Sequence, residues 1–271
     1  FYVDTVNRLS LSGQNLSRLL IRQSYYDMNN TLQAIPLINL SLAFLPALIS
    51  IYILFRWSLN AGNAVYALLR MLVQLLLIGY FLTYIFESDS SGIVLLILAV
   101  MVIASSWIAL GTVPGKRTML YKYALSSIFF GGGVVLILIT QIVLNLEPWY
   151  SPQTMIPIAG MIFANSMTSV SLAVERMNAE MSRDVPYHEA RRIALQSSLI
   201  PVINSLFAVG LVSLPGMMTG QILSGVSPLI AARYQIVVMC MILGSSGITT
   251  ACFLVMVKPV FEKNTAAERK R

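Results

Sequence analysis

Charge is scarce in this chain. Only 11% of its residues are Asp, Glu, Lys or Arg, against roughly 25% in an ordinary soluble domain. Hydrophobic residues make up 57%, and mean hydropathy is +0.76. A soluble fold of 271 residues could not hide that much apolar surface, so the soluble globular class is excluded. Histidine is nearly absent, with His188 alone. A serine nucleophile needs a nearby base. His188 falls in a polar gap, away from Gly244-Ser245-Ser246-Gly247, which otherwise spells the G-x-S-G of intramembrane serine proteases. Small residues packing an apolar span is the better reading of those four. No H-E-x-x-H, no paired intramembrane carboxylates and no Cys/His cluster occurs, so catalysis is unsupported. Cys240 and Cys252 share one apolar run, about 18 Å apart along a helix axis and too far to bridge. They read as small core residues and say nothing of redox compartment. A nucleotide loop is also missing. Gly111-Thr-Val-Pro-Gly115-Lys116-Arg117 is one residue short of G-x4-G-K-[ST], and Arg117 replaces the hydroxyl residue.

What the chain does have is length in its apolar runs. Seven stretches, 37–55, 68–86, 92–110, 123–146, 153–174, 203–224 and 234–257, each match the hydrocarbon thickness of a bilayer when wound as a helix. The expected fold is all-α, one polytopic membrane domain of about seven transmembrane helices. The net charge of +7 raises nucleic acid as a partner. The positives instead follow the membrane-orientation rule, so no nucleic acid is expected. Arg56, Arg70, Lys116, Arg117, Lys122, Arg176, Arg183, Arg191, Arg192, Lys258, Lys263, Arg269, Lys270 and Arg271 fall on one side; the opposite gaps hold Glu87, Asp89, Glu147 and the single base Arg233. The rich side is predicted to be cytoplasmic, which places the N-terminus outside and the C-terminus inside. Trp57, Trp107, Tyr121 and Tyr123 near inner ends, and Tyr84, Trp149 and Tyr150 near outer ends, suit the headgroup level.

Residues 1–27 are polar, carry Arg8, Arg18 and Arg22, and lack a signal-peptide core. They read as an N-terminal extension ahead of Met28, with the membrane domain over 28–271.

The sixth stretch is unlike the others. Pro215 lacks an N–H and Gly216 beside it weakens a helix. Freed backbone groups must meet protein or line a watery cavity. Gly216, Gly220 and Ser224 also form a small stripe suited to close helix approach. A kinked packing helix and a break beside a translocation path both remain open. Met217, Met218, Met155, Met161 and Met167 invite a soft-metal reading, but Met is more often an adaptable core filler.

The longest inner gap, 175–202, mixes four acids with four bases. Pro186-Tyr-His-Glu-Ala-Arg-Arg-Ile-Ala-Leu-Gln196 starts with a proline suited to a helix first turn. Ala190, Ile193, Ala194 and Leu195 form a candidate face for a short amphipathic helix, which would lie on the membrane or dock into a soluble partner's groove.

Several blocks here carry a family resemblance: Met155-Ile-Pro-Ile-Ala-Gly-Met-Ile162, Asn165-Ser-Met167, Val209-Gly-Leu-Val-Ser-Leu-Pro-Gly-Met-Met-Thr-Gly220 and Ala232-Arg-Tyr-Gln235. Together they resemble the Fet-type permease family, which includes the bacterial iron-export permease and plant aluminium-tolerance permeases. The resemblance covers residues 30 to 258. It implies the membrane subunit of an ABC transporter in a bacterial inner membrane, paired with a second copy and with separate soluble ATPase subunits. ATP and Mg would be bound on that ATPase, with no cofactor in this chain. It implies iron or another metal as cargo, moved outward, with a nucleotide sugar as the alternative. A stand-alone secondary transporter competes, but the membrane carboxylates that would carry protons are missing. The expected substrate path comprises Asn165, Asn204, Ser205, Pro215, Gly216, Met217, Met218 and Gln221. The expected ATPase-coupling turn comprises Pro186, Tyr187, His188, Glu189, Ala190 and Arg191. Two departures stand out. The family often has an Asp and a Lys where this chain has Asn204 and Phe207, and only Pro186 and Ala190 survive of its L-G-A-x-P-x-x-A loop.

Overall fold

The computed structural model describes residues 35–87 and 90–261. The 1–27 extension, Asp89 and the tail bases Lys263, Arg269, Lys270 and Arg271 lie outside them. All named elements among the described residues are helical.

The chain divides into two units. The first comprises Phe1–Tyr80 with Leu223–Gly225. Its described part holds α1 (Leu37–Leu42), α2 (Leu45–Arg56) and most of α3 (Ala61–Glu87). Neither α1 nor α2 has a buried residue. Leu37, Ile38, Phe55, Leu76 and Tyr80 all stand exposed. A helix apolar on every side is stable only in a core or in hydrocarbon. Asn60 Oδ1 accepts the Asn63 N–H at 3.3 Å, which satisfies one orphan donor at the start of α3.

The second unit comprises Phe81–Ile222 with Val226–Arg271. It holds α4 (Ser91–Ala109), α5 (Arg117–Ser127), α6 (Gly133–Ile137), α7 (Pro152–Met181), α8 (Tyr187–Ala208), most of α9 (Gly216–Leu223) and α10 (Pro228–Met256). A 3₁₀ turn, Pro114–Lys116, precedes α5, and two π turns, Ile128–Gly132 and Leu138–Val143, flank α6. α7 is the centre, packed chiefly on α10, α8 and α4. Its inward residues recur at helical spacing: Met155, Ala159, Ile162, Ser166, Val170, Ala173 and Met177. Lipid tails are as apolar as these side chains, so burial alone does not drive the association. Close packing and interhelical hydrogen bonds do. Gly131 of the first π turn meets the Thr249 backbone, and Ser166 Oγ lies 3.3 Å from Thr249 Oγ1.

Among the described residues, six helical stretches are long and apolar enough to cross a membrane: Leu37–Arg56, Ala61–Leu82, Ser91–Ala109, Pro114–Val143, Pro152–Met181 and Pro228–Met256. The expected sixth span, 203–224, is not one helix. α8 ends at Ala208, a turn follows, and α9 restarts at Gly216. At eight residues, α9 is about 12 Å long, too short to cross. The break begins at Val209, which is extended at ψ 129, and not at Pro215.

The 175–202 gap is mostly helix. α7 runs on to Met181 and α8 begins at Tyr187. Arg176 and Glu180 face each other across one turn at 2.6 Å, although no N–H is aligned on the Glu180 oxygen. Pro186 is the N-cap of α8, so the predicted short amphipathic helix is the front of a 22-residue one. Cys240 is exposed and Cys252 half-buried, which removes Cys240 from the core.

Candidate functional site

The ends of α4, α7, α8 and α10 that carry the basic residues are stitched by polar contacts. Arg117 donates to the Trp107 carbonyl from Nε at 3.1 Å and from Nη2 at 2.6 Å, and its guanidinium lies 3.8 Å over the Trp107 ring. Lys116 Nζ donates to Asn178 Oδ1 at 2.7 Å and stands 5.3 Å over the Phe261 ring. The front of α8 joins the same network, because the Tyr187 hydroxyl donates to the Leu254 carbonyl. That carbonyl belongs to the last turn of α10, where helix acceptors lack intrahelical donors.

The predicted coupling turn is therefore brought together. Ala190 is fully buried, as are Ala194 and Ser198 behind it, so one face of α8 is fixed against its neighbours. Pro186, His188 and Glu189 are exposed, and Arg191 is half-buried. A cavity of about 330 Å³ opens beside this turn, lined by His188, Arg191, Arg192 and Leu195 and by Ala251, Leu254 and Val255 of α10.

The residues of the predicted substrate path are distributed over α7, α8, the turn that follows it and α9. Asn165 is half-buried on α7, and its Nδ2 donates to the Met161 carbonyl at 2.8 Å. Asn204 and Ser205 lie exposed on α8, where Ser205 Oγ donates to the Val202 carbonyl at 2.8 Å. Pro215 and Met218 are half-buried, and Gly216 and Met217 are exposed. Gln221 Oε1 is buried and has no hydrogen-bond donor among the described residues. None of these eight lines either cavity described here. The larger cavity, about 540 Å³, lies elsewhere, between Leu95, Leu98 and Val102 of α4, the π-turned stretch and Phe163 of α7.

The break itself closes locally. The Ala208 carbonyl accepts the N–H of Leu211, Val212 and Ser213 at 3.2, 2.8 and 3.1 Å. Gly210, at φ 82, donates to the Ser213 carbonyl at 3.0 Å. Four N–H groups of the break are thus satisfied within a tight turn. Its tip is apolar and bare: Phe207, Leu211 and Val212 are 76%, 90% and 84% exposed.

Sequence reading missed the buried polar residues of α10. Gln235 Oε1, Ser246 Oγ and Thr250 Oγ1 are buried with no partner among the described residues. Polar side chains inside a membrane span are costly unless paired. Their positions within an apolar run were the available signal. No group of three or more His, Cys, Asp or Glu residues able to hold a metal ion occurs among the described residues.

Residues 37–187 and 183–261 match the family described as "Uncharacterised protein family (UPF0014)". A UPF0014 membrane protein of Synechocystis is 37% identical over 73% of this chain and 83% of its own length. "Protein ALUMINUM SENSITIVE 3" of Arabidopsis thaliana is 33% identical over 74% of this chain and 77% of its own. "Probable iron export permease protein FetB" of Escherichia coli is 33% identical over 68% and 76%. No solved structure matches the chain. The chain belongs to the UPF0014 family of membrane proteins.

Proposed function

Proceeding from that membership, we infer that the chain is the membrane-spanning permease subunit of an ABC transporter, exporting iron or another metal ion with energy from a separate soluble ATPase. Relatives named for iron export and aluminium sensitivity support a metal cargo. ATP and its Mg²⁺ bind the partner. In this chain the loop that faintly resembles a nucleotide site forms a turn and a 3₁₀ segment between two membrane helices. Two copies of the permease and two ATPases make the assembly, in a bacterial inner membrane. The distribution of basic residues favours the N-terminus outside and the C-terminus inside.

The observation that carries this reading is the continuity of α8. One helix of 22 residues, about 33 Å long, joins the coupling turn at Pro186–Arg191 to the break that follows Asn204 and Ser205. A push on its front is transmitted along its axis, and the Tyr187–Leu254 link carries part of it to α10. ATP drives the change only by binding one conformation of the assembly better than the other. Asn204, Gln221 and the Met217 and Met218 thioethers offer neutral donors, and a second copy doubles them.

The test is reconstitution with the cognate ATPase, followed by a screen of metal ions and nucleotide sugars for stimulated hydrolysis and efflux. Stimulation by iron that Asn204→Leu abolishes supports the reading. Transport by the chain without any ATPase overturns it, and stimulation by nucleotide sugars alone moves the cargo to that class.

A further inference from the structure

The cavity between the front of α8 and the end of α10 shares His188 and Arg191 with the proposed coupling turn and adds Arg192 and Leu195 behind it. Its surface is almost wholly apolar, from Leu195, Ala251 and Val255 and from the carbon of His188, Arg191 and Arg192, whose charged ends add almost nothing to it; His188 and Arg192 are exposed and Arg191 half-buried. The basic three and Leu195 stand at i, i+3, i+4 and i+7, one face of a helix. Among the described residues none of the three basic side chains has a hydrogen-bond or ion-pair partner, and no acidic residue lines the cavity. Other cations at this end are engaged: Arg176 with Glu180, Lys116 with Asn178 and Arg117 with the Trp107 carbonyl.

We propose that this cavity seats one anionic phospholipid, with its phosphate on His188, Arg191 and Arg192 and its upper acyl chain along Leu195, Ala251 and Val255. Guanidinium groups match phosphate oxygens in paired donors, and basic pockets between membrane helices hold anionic headgroups. The aliphatic wall selects a lipid over a soluble anion. It belongs to the last turns of α10, a helix apolar enough to cross the membrane, so the cavity opens where hydrocarbon meets headgroups. A free phosphate gains nothing from such a wall. The seated headgroup bridges α8 and α10 beside the Tyr187–Leu254 hydrogen bond. Glu189 is not among the lining residues, so the site leaves room for a partner on the exposed front of the helix. The inference requires neither the ATPase nor a particular cargo.

The test uses the full chain, delipidated in detergent and titrated with phosphatidylglycerol, phosphatidylcholine or inorganic phosphate. Retention of lipid is read by native mass spectrometry, and thermal midpoints are read in parallel. Phosphatidylglycerol should be retained and raise the midpoint, with little effect of the other two, and added salt should weaken it. Arg191→Gln with Arg192→Gln should weaken retention about thirtyfold. Ala251→Trp should abolish it by filling the wall without touching charge. Arg233→Gln, at the far end of α10, should leave it unchanged. Equal retention of the two lipids overturns the proposal, as does phosphate that stabilises as well as lipid. A folded double variant that retains phosphatidylglycerol like the wild type also overturns it. Should the variants not fold, the comparison of the two lipids on the unmodified chain decides alone.

Discussion

Gly131→Ala places a methyl group where two helices already touch. A Cβ at Gly131 would lie 2.6 Å from Thr249 Oγ1, 2.8 Å from its Cα and 3.0 Å from its N. The hydroxyl can rotate aside, but the backbone cannot. The Cα approach falls about 0.6 Å short of the 3.4 Å at which ordinary contact begins, and a gap of that size forfeits a quarter to a half of each dispersion contact along the seam. Overpacking of this kind costs about 1–3 kcal/mol. Lengthening the 3.3 Å Ser166–Thr249 contact costs about 1 kcal/mol more. Alanine's helix preference over glycine offsets about 1 kcal/mol. The net destabilisation is about 2 kcal/mol. Gly133, two residues on, has nothing within 4 Å of its Cβ position, so Gly133→Ala keeps only the helix preference and stabilises by up to ~1 kcal/mol. Reversible unfolding in mixed micelles, titrated with a denaturing detergent, should separate the two variants by about 3 kcal/mol. Two variants within ~0.5 kcal/mol of each other would refute the close approach of the π turn to α10.

Four further substitutions probe the rest of the molecule. Arg117→Lys loses the second donor to the Trp107 carbonyl and the flat stacking on its ring; a loss of about 1 kcal/mol is expected in the same assay, and an unchanged midpoint counts against that contact. Gly210→Ala forces a side chain into φ 82 and should cost about 1–2 kcal/mol. Gly216→Ala, with no neighbour within 4 Å and no positive φ, should not, so equal effects sink the account of the turn. Tyr187→Phe removes one hydrogen bond, worth about 1 kcal/mol, and keeps the ring. Pull-down of the ATPase should persist while stimulated hydrolysis falls; full stimulation would take the link out of the transmission path.

Most of the membrane spans were legible because hydrocarbon imposes one rule, length, on any helix that crosses it. The polar segments were harder. Glu175 to Met181 fell in a polar gap between apolar spans because it is charged, yet charge does not end a helix. Glu, Arg, Met and Ala propagate it well, and Arg176 stands one turn from Glu180. The same holds for 187–202, where a hydropathy boundary fell in mid-helix. The break after Ala208 was assigned to Pro215 because proline is conspicuous; Gly210, which supplies the positive φ, is one glycine among sixteen. The helix start at Tyr187 was legible in Pro186 and in the helical spacing behind it. Of the expected substrate path, Asn165, Asn204 and Gln221 sit on three different helices, a placement that no local pattern in the sequence displays. Nothing in composition marks a π turn, so Ile128–Gly132 and Leu138–Val143 were invisible.

Those two wide turns also bear on which insertions and deletions this protein can survive. Each residue of an α-helix advances the chain by about 100°. Removing one residue from 128–132 would give a more regular hydrogen-bond ladder, yet it would swing Val135, Leu136, Ile139 and Thr140, all now buried, by about that angle toward lipid. Length variation among natural versions of this protein should therefore collect in the connections at 110–113 and 144–151. The count of residues from 128 to 143 should stay constant even where their identities drift.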